Sequence, residues 1–215
     1  MIKAITFSDV PNYVGDREAQ AREDLARYFG AFSITNAGHS GYTGRFFEHY
    51  SQLSDPEHFN GNDIAAATSL SVEFKTVTVA ALAHHGRDLD GLLAQCPPPD
   101  VALWEIDDTA LDDDAPLSRL YTSLKALPDV SYVKASKLLA AKRPHLVPIR
   151  DSRVEQLLGN PHSWWGPWQQ VFNDEDFRGL LADLANGTVP ERTSLLRVLD
   201  VILWSDATRQ SAGSD

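Results

Sequence analysis

Apolar residues recur at three- and four-residue intervals along most of the chain, the spacing of one face of an α-helix. In DREAQAREDLARYF (16–29), Ala21, Leu25, Tyr28 and Phe29 line up as one apolar stripe. Asn60 or Asp63 can start a helix through IAAATSLSV. TVTVAALAHHG predicts another, ending at Gly86, the residue type favoured just past a helix end. DLDGLLAQC predicts a short helix stopped by Pro97, Pro98 and Pro99. The acidic loop DDTALDDDAP then leads into a helix from Pro116 to Leu127. VKASKLLAAK and SRVEQLLG predict two more, joined by RPHLVPIRD. DEDFRGLLADLANG and TSLLRVLDVILW complete the series with clear helical spacing. Only VALWEI and IKAITF read as strands, and the polar tail SDATRQSAGSD (205–215) reads as frayed. The pattern predicts an all-α protein of about ten short helices.

Composition narrows the function classes. The chain has 215 residues, 43% of them apolar, as expected of an ordinary folded protein. No run of about 18 apolar residues spans a membrane. The first twenty residues lack a basic start followed by an apolar block, so the expectation is a cytoplasmic protein without a secretory signal. Cys96 is the only cysteine, which leaves no disulfide framework and no multi-cysteine metal site. His84 and His85 are adjacent and cannot share a metal from one helix, and the other five histidines are scattered. No metal and no cofactor is implied. Neither a serine-hydrolase elbow nor a nucleotide-binding glycine fingerprint is present.

Net charge is −11, which opposes bulk electrostatic coating of nucleic acid. Charge is unevenly spread, however. Lys134, Lys137, Lys142, Arg143, Arg150 and Arg153 face only Asp151 within residues 134–153, a local +5 that leaves −16 elsewhere. Such a segment is either a docking site for an anionic partner or a solvated helix face. Asp151 likewise has two readings: an N-cap for SRVEQLLG, contributing about 1 kcal/mol, or a carboxylate that does chemistry. SGYTGRFFEHY places Tyr42, Arg45, Phe46 and Glu48 after a glycine-rich turn, as a pocket lining or simply a loop. Trp164, Trp165 and Trp168 are candidates for base stacking or for core, and Trp204 reads as core.

The stretch ALPDVSYVKASKLLAAKRPHLVPIRDSRVEQLLG (126–159) resembles the helix-hairpin-helix base-excision DNA glycosylases. In those enzymes an L-P-G-V-G-x-x-T-A hairpin precedes a V-D-x-x-V-x-R segment bearing the catalytic aspartate. Leu127, Pro128 and Val130 fall on the hairpin, Ala135 on its second helix, Val154 on the later apolar position and Asp151 on the catalytic carboxylate. The hairpin glycines fall on Asp129 and Ser131, and the lysine nucleophile of the bifunctional enzymes falls on Val133. More widely, GYTGRFFEHY and PERTSLLRVLDVILW resemble an uncharacterised actinobacterial family of unknown function.

What the glycosylase resemblance implies is a two-lobed protein with a degenerate helix-hairpin-helix. One lobe would span 61–147 and end in the hairpin; the other would combine 1–60 with 148–204. Asp151 would sit in the cleft as the catalytic carboxylate of an N-glycosidic bond hydrolase acting on a damaged or modified base. Lys134, Lys137, Lys142, Arg143, Arg150 and Arg153 would hold duplex DNA or another nucleic acid. Tyr42, Arg45, Phe46 and Glu48 would line the base pocket. The alternative is a non-enzymatic module whose basic 134–153 segment binds an acidic protein or a nucleic acid.

Overall fold

The computed structural model describes residues 3–36 and 38–212. It is all-α, apart from one two-stranded ribbon among the described residues. The chain divides into two compact units, one from residues 1–42 and 150–215, the other from 43–149. The second unit thus starts at Thr43, where the sequence reading starts that lobe at 61.

In the first unit, the Thr6 N–H donates to the Asp9 carboxylate (2.8 Å) and closes a single tight turn. IKAITF is therefore no strand over residues 3–6. Two helices follow, α1 (Val10–Gly15) and α2 (Glu18–Phe29). The stripe read from sequence on α2 is the face it buries: Ala21, Leu25, Tyr28 and Phe29. A short antiparallel ribbon not anticipated from the sequence then forms, β1 (Ser33–Thr35) against β2 (Gly38–Ser40), with Ile34 opposite His39. Gly41 follows at φ +92°; a Cβ there would meet the Ala31 carbonyl oxygen at 2.8 Å, so the glycine is needed sterically.

The second unit holds α3 (Phe47–Gln52), α4 (Gly61–Ser69), α5 (Thr76–His84), α6 (Gly86–Leu93), α7 (Pro116–Lys125) and α8 (Tyr132–Lys142). Asn60 caps α4: its side chain accepts the Asn62 N–H (2.8 Å) while Asp63 accepts the Asn60 N–H (2.7 Å). Helix α8 is buried on every side from Ala135 to Lys142 and is the axis of this unit. Gly86 opens α6 instead of ending α5, a correction to the sequence reading. VALWEI is also not a strand. The Glu105 carboxylate takes the Ala102 N–H (2.8 Å) and curls residues 103–105 into a tight turn.

The chain returns to the first unit with α9 (Ser152–Leu157), α10 (Trp165–Phe172), α11 (Glu175–Ala185) and α12 (Leu195–Ala212). Helix α12 packs on α2, α9 and α11, burying Val198, Leu199, Val201, Ile202 and Leu203. It runs through Ala212, so the expected fraying from 205 does not begin there; 213–215 lie outside the described residues. Its last turns are tied to the body by ions. Arg209 grips both oxygens of buried Asp24 (2.7 and 2.9 Å) and also Asp206 (2.9 Å). Tyr13 donates to Asp206, and Gln210 donates to it at 2.8 Å.

Burial, and next the bond to Asp206, push the Tyr13 phenol up to about 12. Burial alone would raise the Asp206 carboxyl, but bonds from Tyr13, Gln210 and Arg209 and the Arg209 charge hold it below the usual carboxylate range. A carboxyl depressed in the folded state adds stability above its unfolded pKa, about 3.9, and loses it as pH falls through the lower folded value. Urea-unfolding midpoints should therefore drop as pH falls below about 4. Asp206→Asn should make that drop shallower.

Candidate functional site

The segment that carried the functional expectation forms a helical hairpin. Helix α7 ends at Lys125, and Leu127 and Val130, both buried, anchor the turn that Val130 closes by donating to the Leu127 carbonyl (3.2 Å). Ser131 caps α8 by accepting the Lys134 N–H (3.3 Å). Asp129 stands between them at φ +62°, the left-handed conformation that glycine adopts most readily. Its carboxylate does not face solvent as a bare charge. Lys134 Nζ bonds it at 2.8 Å and Lys75 Nζ at 3.1 Å, and these bonds hold the carboxyl below its ordinary range.

The basic segment is where sequence and structure part. Three of its six cations point inward. Lys137 is buried and donates to the Leu70 carbonyl (2.9 Å). Lys142 is buried against Asp63 (2.7 Å) and donates to Ser54 Oγ (2.7 Å) and to the carbonyls of Asp55 and His58 (both 2.6 Å). Arg143 reaches the carbonyls of Pro97 (2.6 Å), Pro56 (2.9 Å) and Leu93 (3.1 Å). Desolvation pushes Lys142 down and Asp63 up, and each charge opposes the other's shift. These side chains satisfy backbone oxygens and have no charge to offer a phosphate. Arg150 is paired with Glu155 (2.5 Å) and lies over the Trp164 ring (5.0 Å). Lys134 is held by Asp129, and Arg153, at the start of α9, is the one of the six that is exposed.

Asp151 caps α9. With extended backbone, it accepts the Arg153 N–H at 3.0 Å. The helix closes with a matching terminus: Gly159 at φ +71° donates to Gln156 (3.2 Å), and Asn160 donates to Glu155 (2.7 Å). Tyr42 belongs to the first unit, stacked on Tyr28 (5.2 Å, 10°), whereas Arg45, Phe46 and Glu48 belong to the second. Arg45 lies over Phe46 (5.8 Å), and Glu48 is buried on α3. Trp164 and Trp168 are core, meeting Phe7 edge-on at 6.0 and 4.8 Å. Trp204 is only half-buried and meets Tyr42 edge-on (5.6 Å). Burial pushes the Cys96 thiol up to about 11, so it is no nucleophile at neutral pH. No group of three metal-binding side chains gathers among the described residues, and none of their helices is long and apolar enough to cross a membrane.

The fold defines an all-α protein of short helices carrying one helical hairpin. Residues 21–207 match a family of unknown function, DUF6308, and the chain belongs to that family. No characterised protein and no solved structure matches it, so neither comparison supports the glycosylase resemblance of 126–159.

Lys75, which completes the Asp129 bridge, and the Asp24–Arg209 pair leave no mark in the sequence pattern. Lys75 sits far from the hairpin in sequence, and Arg209 stands in the polar stretch SDATRQSAGSD. Breaking the interior pair is the sharpest test of this geometry. Asp63→Ala leaves the Lys142 ammonium buried without its counter-ion and should cost about 3–5 kcal/mol in urea unfolding.

Proposed function

We propose that the protein is a non-enzymatic, protein-binding module whose contact face is α5 together with the adjoining hairpin turn. The observation that carries this reading is the state of α5. Its sequence, TVTVAALAH, is apolar nearly all round, the composition of a helix made to be covered. Only Thr78 and Leu82 are buried; Thr78 holds the helix on the turn by donating to the Pro128 carbonyl (2.7 Å). Val77 (52% exposed) and Val79 (42% exposed), with Ala80 and Ala83, occupy the outward arc. Tyr132 (43% exposed) opens α8 just beyond the same turn.

A face of this kind favours a protein partner over a nucleic acid. Its two lysines, Lys75 and Lys134, share one aspartate, so little charge is left for phosphates. The net charge of −11 repels nucleic acid further. An amphipathic segment that lays an apolar face on α5, with an acid near Lys75, fits best. Val77→Asp with Val79→Asp alters exposed positions and should leave the melting temperature nearly unchanged while removing whatever protein the wild type retains in co-purification from its host. Retention of the same proteins by the double variant would sink the reading, as would tight, salt-sensitive binding of duplex DNA by the wild type.

One observation favours the glycosylase reading. Asp129 keeps the glycine-like backbone of the hairpin, and Asp151 starts a helix after an extended link, as in the enzymes this segment resembles. In that case Asp151→Asn, which still caps α9, abolishes base release from damaged duplex DNA with stability unchanged. Absence of base release by the wild type on a panel of lesions removes this second reading.

A further inference from the structure

A pocket of about 130 Å3 opens in the first unit between α2 and α12, lined in part by Asp24, Arg27, Tyr42, Trp204, Thr208 and Arg209. It exceeds the ~30 Å3 share of one water in the liquid and falls well short of the roughly 300 Å3 at which drug-sized pockets begin. Its ligand is therefore small.

The polar groups on its wall are lopsided. Hydrogen-bond donors are in surplus, and the one carboxylate is spent. Both Asp24 oxygens are held by Arg209, with Gln20 donating to one of them as well (3.2 Å). Arg27 makes no hydrogen bond among the described residues; its nearest approach to an acid is 3.9 Å, to Asp24. Arg209 keeps its Nε–H and one Nη1–H unused among the same residues. The Thr208 hydroxyl exposes less than 1 Å2 and has no partner. At that exposure it lies behind the wall, out of reach of a ligand in the pocket. Tyr42 and Trp204 contribute two rings at 88° to each other.

A ligand that satisfies this wall brings acceptors and negative charge. A cation would meet two guanidiniums and no available carboxylate. The rings add a requirement for a flat apolar body, since ring faces and edges take a planar partner best. We propose that this pocket binds a small planar aromatic carboxylate. Its carboxylate would take N–H bonds from Arg27 and from the unused N–H groups of Arg209, and its ring would lie against Tyr42 and Trp204. This site is independent of the α5 face, and either can fail without the other.

Benzoate is the probe. Titrated into the full chain labelled with 15N, it should shift the Trp204 indole N–H resonance, assigned through Trp204→Phe, along a saturable one-site curve. Benzamide, the neutral isostere, should bind at least about tenfold more weakly, because bonds to a charged acceptor are the stronger kind. Arg27→Gln, at an exposed head group, should weaken benzoate by a similar factor with the spectrum otherwise unchanged. The proposal is overturned if benzoate leaves the Trp204 resonance in place, or if benzamide or the Arg27→Gln protein binds equally well. Displacement of benzoate by equal concentrations of acetate or inorganic phosphate would overturn the aromatic requirement.

Discussion

Two adjacent cations at the end of α8, Lys142 and Arg143, hold the second unit together from inside. Between them they bind carbonyls of Asp55, Pro56, His58, Leu93 and Pro97, along with Ser54 and the carboxylate of Asp63. Those oxygens belong to the loop between α3 and α4 and to the segment at and after the end of α6, stretches that make few ladder bonds of their own. A carbonyl buried without a donor is expensive, and a long basic side chain can meet several at once. The charge itself is answered by Asp63, which doubles as the acid of the α4 capping box. One carboxylate thus starts a helix and answers the Lys142 charge, which lets α8 end in a buried ammonium.

This arrangement also decides how much of the molecule was legible beforehand. Periodicity found α2, α4, α7, α11 and α12, because each buries a stripe that a 3.6-residue repeat makes visible, and it found α8, which is buried all round. It failed wherever the deciding partner is remote in sequence. Nothing in VALWEI announces that Glu105 will reach back to Ala102, and nothing in SDATRQ announces that Arg209 will find Asp24 from 185 positions away. The basic segment failed for the same reason. Lys142 and Arg143 look like surface charge until the loop from Ser54 to His58 is folded over them. Charge counted along a chain says where cations are, not which way they point.

Asp129 and Asp151 teach a narrower lesson. Each has a residue type that a function could explain, and each has a complete structural explanation. Asp129 tolerates a left-handed turn, as aspartate does better than most residues with a Cβ, and two lysines stabilise its charge. Asp151 satisfies an N–H at the start of α9. The backbone of this hairpin therefore follows from local turn and cap chemistry whether or not a nucleic acid ever touches it. Resemblance in such a segment is carried by the geometry of two helices meeting at a tight turn, and that geometry serves folds with unrelated tasks.

With the interior cations accounted for, the surface that is left over is acidic overall and unusual in one respect. Most apolar helices in the chain bury their apolar side: α8 on all faces, α12 along most of its length. Helix α5 does not, although it is as apolar as any of them. Folding alone gives no reason to keep valines at 77 and 79 on an outward arc, where threonine or lysine would hold a helix as well and dissolve better. Leu53 and Ile34 are more exposed still, but each stands singly, as scattered surface apolar residues commonly do. The outward face of α5 is a continuous arc beside a turn whose charges are already matched. Contiguity, rather than exposure of any single residue, is what separates a contact face from ordinary surface.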